Sequence, residues 1–393
     1  MSAPTAPEAR AALELRSYES IRDLGEQHWS ALAGDAPPFL SFDWLDALEQ
    51  TGCVRPERGW MPMHLGLWRG DELVAAAPAY VKGNSEGEFV FDHSFAQFAE
   101  SRLHVDYYPK LIVAVPFTPA TGPRLLVAPG VDLAAVHGAF AAGLEQLCER
   151  LGLSSAHVLF PPRAEAELLS DAGLVHRYGL QFHWHNAGYA CFDDFLARFS
   201  AKRRHQIRRE RRDMERQGID FRILSGSDID AEAVDVMFEF YRATVEKFYW
   251  GRQYLNRNFF HEVASRMPGS LHFVLARERS SGQALGGAFN LLGGDKLYGR
   301  YWGAAEERPF LHFNVCYYQG VEDAIARGLS LFEPGAGGEH KLARGFEPTL
   351  THSAHHFADS RLDHAVRDYC AREREALDDH IADSRRDPLL KPV

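Results

Sequence analysis

The chain has 393 residues, 46% hydrophobic and 25% charged, an ordinary globular composition with apolar material for two cores. A net charge of −11 excludes a general nucleic-acid binder, so any phosphate-rich partner must be met locally. Five scattered cysteines without a CxxC pair, no basic-then-apolar leader and no uncharged apolar run of about 20 residues exclude a disulfide scaffold, a zinc finger and a membrane-spanning helix, and point to a reduced, cytoplasmic protein.

In chain order, residues 13–18 alternate as a short strand and 19–32 carry a helical pattern. After a proline-containing loop at 35–38, Ser41 is placed to cap a helix bearing Phe42, Leu45, Leu48 and Glu49. Apolar runs at 64–68 and 73–81 flank Arg69, Gly70 and Asp71 as a hairpin. An amphipathic helix at 131–151, a buried strand at 156–160 stopped by Pro161 and Pro162, a helix at 164–172 and a strand at 181–184 complete a first unit.

A second unit repeats this grammar. Strand 220–224 precedes helices 231–248 and 255–267, then strands 271–277 and 284–292 joined through Ser280, Ser281 and Gly282. Gly293, Gly294 and Asp295 turn into strand 296–302. Helix 313–327, strand 329–333, a glycine-rich loop, strand 352–357 and a charged helix at 359–381 follow, and the residues from Asp383 onward read as a frayed tail. The expectation is an α/β protein of two tandem domains, 1–190 and 191–393, each a mixed, mostly antiparallel sheet flanked by helices, with a cleft between them.

The densest chemistry lies after strand 329–333. Glu339, His340, Lys341 and Arg344 follow the glycines of GAGG at the end of a buried strand, where open sheets place ligands. Lys341 and Arg344 would hold a phosphate or carboxylate, with Glu339 beside them, and His340 would shuttle protons. Glu333, at the open end of the strand, would accept a proton from an attacking amine. Arg300 in strand 296–302 must be paired or reach a cleft; strict alternation puts it with Tyr298 and Trp302 on one face and Tyr301 on the other.

Three other features have modest counterparts. The segment 200–217 places Arg204, Arg208, Arg212 and Arg216 on one helical stripe suited to a phosphate backbone, diluted by Glu210, Asp213 and Glu215. His352, His355 and His356 suggest hydrogen-bonded strand histidines, and no metal is expected. A GxSxG match at Gly83–Gly87 precedes an apolar run instead of a helix, so it is not a nucleophile elbow.

The words FLSFDWLDALE (39–49), FVFDHSFA (89–96), DYYPKLIVAVPFTPATGPRLL (106–126), FSAKRRHQIRRERR (199–212), YLNRNFF (254–260), GAFNLLGGDKLYGRYWG (287–303) and GAGGEHKLARGFEP (335–348) resemble, over nearly the whole chain, the Fem-like group of N-acyltransferases. That group is similar to the Fem aminoacyl transferases of peptidoglycan bridge synthesis, built from two GNAT-like domains. The resemblance implies an acyl or aminoacyl group moved to a small-molecule or peptide amine by direct attack. The co-substrate would be an acyl-CoA or an aminoacyl-tRNA, the latter along Arg204–Arg216, with no tightly bound cofactor. It also implies an anionic acceptor clamped by Lys110 and Arg124, near Asp106 and Tyr108. Glu333, His340 and Arg300 would then be catalytic, with Lys341, Arg344, Glu339, Tyr301 and Trp302 holding substrate. The segment AAEERPFLHF (304–313) replaces the usual glycine-rich pyrophosphate loop, and its Glu306 and Glu307 would repel an anion. The alternative is a non-catalytic module binding a cell-wall peptide or a nucleotide-linked ligand in the same cleft.

Overall fold

A computed structural model describes residues 12–247 and 252–386. The readings made at the extreme N-terminus, in the tail beyond 386 and at Phe248 lie outside the described residues. In the first half the strands are β1 (Leu13–Tyr18), β2 (Met61–Pro62), β3 (His64–Arg69), β4 (Glu72–Ala77), β5 (Ala79–Lys82), β6 (Lys110–Val113), β7 (Leu126–Val127), β8 (Ser155–Leu159) and β9 (Val175–His185). The second half adds β10 (Ile219–Ser225), β11 (Leu271–Glu278), β12 (Ala284–Gly293), β13 (Lys296–Ala304), β14 (Leu331–Glu333) and β15 (Glu347–Phe357).

They form a small sheet, β1-β3-β4-β7, and one sheet of 11 strands in the order β10-β11-β12-β13-β14-β9-β15-β8-β6-β5-β2. Pro78, between β4 and β5, marks the point where the chain passes from one sheet to the other. Each half contributes one parallel pair inside antiparallel neighbours: β6 with β8, and β13 with β14. The strand beyond β14 is β9, from the first half, and the strand beyond β8 is β15, from the second. The halves have exchanged their last strands.

Helices cover both faces because their apolar stripes demand it. Helix Ala231–Glu246, capped by the Asp230 carboxylate on the Ala233 N–H, buries Ala233, Val234, Met237, Phe238, Phe240 and Tyr241 over β12 and β13. It lies so close that a Cβ on Gly303 would sit 1.7 Å from the Phe240 carbonyl oxygen, so only glycine fits there. On the other face, Leu311–Phe313 runs through a wide π-type turn at Asn314–Tyr318 into helix Gln319–Ala326. The single helix expected at 313–327 is thus interrupted. The expected helix at 19–32 is likewise two pieces, Ile21–Leu24 and Glu26–Ala33, with Gly25 between them at φ 97°.

Two strands are longer than their sequence suggested. β9 and β15 each run 11 residues and pair along Glu347–His355, where buried polar side chains such as Arg177, Gln181, His183, His352 and Ser353 hide the apolar alternation. β13 carries a bulge: Phe289 opposes Tyr301 and Asn290 opposes Gly299, leaving Arg300 as the extra residue. The bulge resets the alternation. Tyr298 and Tyr301 therefore share one core, beneath Ala231–Glu246, and Trp302 enters the opposite one. Strict alternation had put Tyr298 with Trp302; the extra residue is the reason it fails.

Among the described residues no helix is long and apolar enough to cross a membrane, and no group of three His, Cys, Asp or Glu side chains is placed to hold a metal ion. The strand histidines bond in pairs, His352 with His176 at 3.1 Å and His355 with His157 at 2.6 Å.

Candidate active site

The β13–β14 ladder covers Lys296–Tyr298 against Leu331–Glu333 and stops there. β13 continues for six more residues while the chain after Glu333 turns off through Pro334 and the glycines at 335, 337 and 338. Where the two part, a cavity of about 450 Å³ opens. Its walls come from both faces of the sheet. Tyr301, Tyr241 and Tyr254 belong to the core beneath Ala231–Glu246, whereas Trp302 and Cys316 lie on the side of the π turn. One cavity can touch both faces only by passing through the gap.

Lys341 lines this gap and is 3% exposed. Its ammonium donates to the Gly335 oxygen at 2.7 Å and the Ala336 oxygen at 3.3 Å. Among the described residues no carboxylate lies against it, and burial lowers its pKa to about 8. A buried, unpaired cation is costly unless something anionic completes it. Arg300, Tyr301, Trp302 and His340 line the same cavity. The Arg300 guanidinium donates to the Phe117 carbonyl, and its Nε is buried without a partner. The His340 ring meets the Tyr317 hydroxyl at 2.9 Å, and burial with nearby Arg344 and Lys341 favours its neutral form.

Glu333 pairs with Tyr298 at the last rung of the ladder, is 3% exposed and is not among the residues that line the cavity. One carboxylate oxygen accepts the Thr121 N–H at 3.0 Å. Burial raises its pKa to about 7, against the pull of that bond and of Lys296, Arg124 and Arg300. Its partner strand residue Tyr298 borders the gap from the other side.

The remaining expected residues are not gathered at the cavity. Arg344 stacks on the Phe313 ring at 3.3 Å, pairs with Glu210 at 3.3 Å and bonds the His340 carbonyl, so it braces the loop. Glu339 and Asp106 are exposed. Lys110 is fully buried between Glu88 (2.8 Å) and Asp92 and bonds Ser85, whose hydroxyl meets that of Tyr108. Arg124 is also fully buried, donating to the carbonyls of Leu159 (2.6 Å), Gly122 (2.7 Å) and Ala120 (2.7 Å). Both cations are saturated in the interior, which is why neither spans the cleft.

Arg124 nevertheless shapes the site. The loop 114–125 follows β6 and lies beside the end of β8, with Gly122 N–H on the Phe160 carbonyl and Arg124 on the Leu159 carbonyl. From there it reaches the second half: Phe117 O receives Arg300 and Thr121 N–H holds Glu333. Phe117 takes a left-handed conformation at φ 58° and stacks on Tyr254 at 4.7 Å, and both line the cavity.

Several cavity residues were not singled out from sequence. His312 stacks on Trp302 at 4.2 Å, and burial lowers its pKa to about 4. Cys316 and Tyr317 lie in the π turn, a common location of functional residues. Asn290 is in β12 and Arg252 pairs with Glu86 at the rim. No local pattern marks such positions; they converge only through the fold. Glu306 and Glu307 are engaged by Arg308 and, at 3.7 Å, by Lys247. Along Ala201–Arg216, Ile207, Glu210 and Met214 are buried while Arg208, Arg212 and Arg216 are exposed, Arg208 pairing with Asp193 at 3.0 Å.

A family profile described as peptidoglycan biosynthesis/recognition, FemAB-like, matches residues 20–391. Among solved structures, that of FemX is similar at 12% identity over 87% of this chain and 98% of that one, with a TM-score of 0.50. L-PGS from Bacillus licheniformis is 9% identical over 80% and 90% of the two chains, TM-score 0.47. A tandem GNAT protein from the clavulanic acid biosynthesis pathway is 14% identical over 88% and 99%, TM-score 0.46. No curated protein matches the chain.

Proposed function

We propose, on the premise that this chain belongs to the FemAB-like family of peptidoglycan biosynthesis/recognition, that it is an N-acyltransferase moving an acyl or aminoacyl group from an activated donor to an amine. The observation that carries this reading is the cavity through the β13–β14 gap with the buried, unpaired Lys341 on its wall.

The donor carbonyl would sit in the gap. The bulge at Arg300 takes backbone groups out of the regular ladder there, where donors can face a developing oxyanion. The amine lone pair attacks the carbonyl carbon from one face of the sheet. A C–N bond forms and the C–S bond of a thioester, or the C–O bond of an aminoacyl ester, breaks. The surplus amine proton passes to Glu333 through water, or to His340, and the leaving group is protonated in turn. Lys341, Arg300 and Arg252 hold the anionic part of a substrate. Tyr301 and Trp302 position it from either side.

The test is transfer by the full chain with a panel of acyl-CoAs and aminoacyl-tRNAs against amines, including nucleotide-linked muropeptides. Product should form with at least one pair, and Lys341→Ala should lower kcat/KM by about 10²-fold, a typical loss for a cationic positioning group. Tight binding of donor or acceptor with no transfer from any pair would make the cavity a recognition site without turnover.

A further inference from the structure

One wall of the cavity leads to a buried polar chain that the mechanism above does not use. Asn290 in β12 lines the cavity and is 3% exposed. It stands opposite His272 of β11 on the same sheet face, and His272 is wholly buried. The Asn290 Nδ2 and His272 Nδ1 are 3.1 Å apart, and His272 Nε2 is 2.9 Å from an Asp323 carboxylate oxygen in helix Gln319–Ala326. Arg327 bonds the same oxygen at 2.6 Å.

The chemistry of this row is directional. Burial opposes ionisation of Asp323, but the bonds from His272 and Arg327 outweigh it and hold its carboxyl below the usual range. A carboxylate only accepts, so His272 Nε2 carries a hydrogen, and the amide nitrogen of Asn290, which only donates, faces the other ring nitrogen. Asn290 must then offer its NH₂ to His272, which leaves its carboxamide oxygen for the cavity. Wholly buried His272 and partly buried Asp323 together fix which way the amide points.

We propose that Asn290 reads the attacking amine: its Oδ1 accepts one N–H of the nucleophile and turns the nitrogen lone pair toward the carbonyl in the gap, while His272 and Asp323 are positioning residues that lock the amide. This rests on the acyl-transfer reading above. It also names the substrate class. A primary amine can give one N–H to Asn290 and keep a second for the base, along with its lone pair. A secondary amine or an alcohol has a single hydrogen and cannot serve both. Asn290 forms no bond to the acyl group and takes no proton; the surplus proton leaves by the route already given.

The experiment uses the full chain with a donor and primary amine that the panel identifies. Rates are taken for that amine, its N-methyl analogue, and donor hydrolysis without amine. In the unmodified protein N-methylation should lower kcat/KM by at least about 10-fold, because the one remaining N–H cannot serve both Asn290 and the base. Asn290→Leu, similar in size, should lower kcat/KM for the primary amine by about 10²-fold and bring the two amines, each corrected for donor hydrolysis, within about 3-fold of each other. His272→Phe should move the ratio of the two amines in the same direction. An unmodified protein that uses both amines equally, which requires no variant to fold, overturns the inference. So does an Asn290→Leu variant with an unchanged ratio. In either case transfer itself persists and the acyl-transfer reading stands, whereas a panel with no transfer at all removes both.

Discussion

Lys341 and Glu333 divide the electrostatics of the gap between them. Burial moves each toward its neutral form, the carboxyl up to about 7 and the ammonium down to about 8. Below about pH 7 Glu333 is protonated and cannot take the amine's proton; above about pH 8 Lys341 is uncharged and cannot hold an anion. Acyl transfer should therefore follow a narrow bell in kcat/KM, with limbs near these two values. Glu333→Gln should remove the acid limb and lower the plateau by about 10²–10⁴-fold, the usual worth of a general base. Lys341→Arg should carry the alkaline limb beyond pH 9, since guanidinium keeps its charge. A profile measured on these variants that keeps both limbs in place would assign them to other groups. Glu339, His340, Lys341 and Arg344 look alike as a charged loop, but their neighbours separate them: Lys341 faces the cavity, and Arg344 is engaged by Glu210 and Phe313.

At the level of elements, the decisive piece is the loop 114–125, which is anchored beside the end of β8 in the first half and furnishes part of the cavity wall in the second. Its anchor is Arg124. Arg124→Met would leave three buried carbonyls without a donor and should cost about 3–5 kcal/mol of stability, the range for breaking a buried charge network. Chemical denaturation reads that loss. Activity measured well below the melting range should fall as well, because Phe117 and Thr121 would no longer be held against Arg300 and Glu333. A variant as stable as the parent would show that the loop is anchored elsewhere. The sequence signalled most strands and helices here through periodicity, and it pointed to Arg300, Lys341 and His340 through charge in unusual settings. The bulge at Arg300, the π turn at Asn314–Tyr318 and the long β9–β15 pairing left no such trace. Each depends on partners distant along the chain, as do the roles of Asn290 and Arg124. The proline-rich word 106–126 stands out in the sequence for its cations; what it delivers to the site is a backbone carbonyl and a backbone amide.

For the whole molecule, the fold is α/β with two halves joined through one sheet of 11 strands. β15 lies between β8 and β9, and Arg177 of β9 binds Glu373 of the closing helix Ser360–Arg386 at 2.7 Å. Cutting the chain near residue 190 would strand β9 away from β14 and β15, and cutting after Gly345 would bare an edge of β8. Calorimetry of the intact protein should show one cooperative transition. Chains comprising residues 12–190 or 191–386 alone should fail to give a folded species by amide exchange. Two resolved transitions, or a stable separate half, would mean that the exchanged strands contribute little.

This interleaving has a consequence during synthesis on the ribosome. β8 emerges roughly 190 residues before the β15 that will lie against it, which is on the order of 10–40 s at ordinary elongation rates. Throughout that interval an apolar ribbon with unsatisfied amides is open to any neighbouring nascent chain. A premature stop codon just after Phe346, ahead of β15, should thus yield insoluble material, even though it leaves every residue that lines the cavity in place.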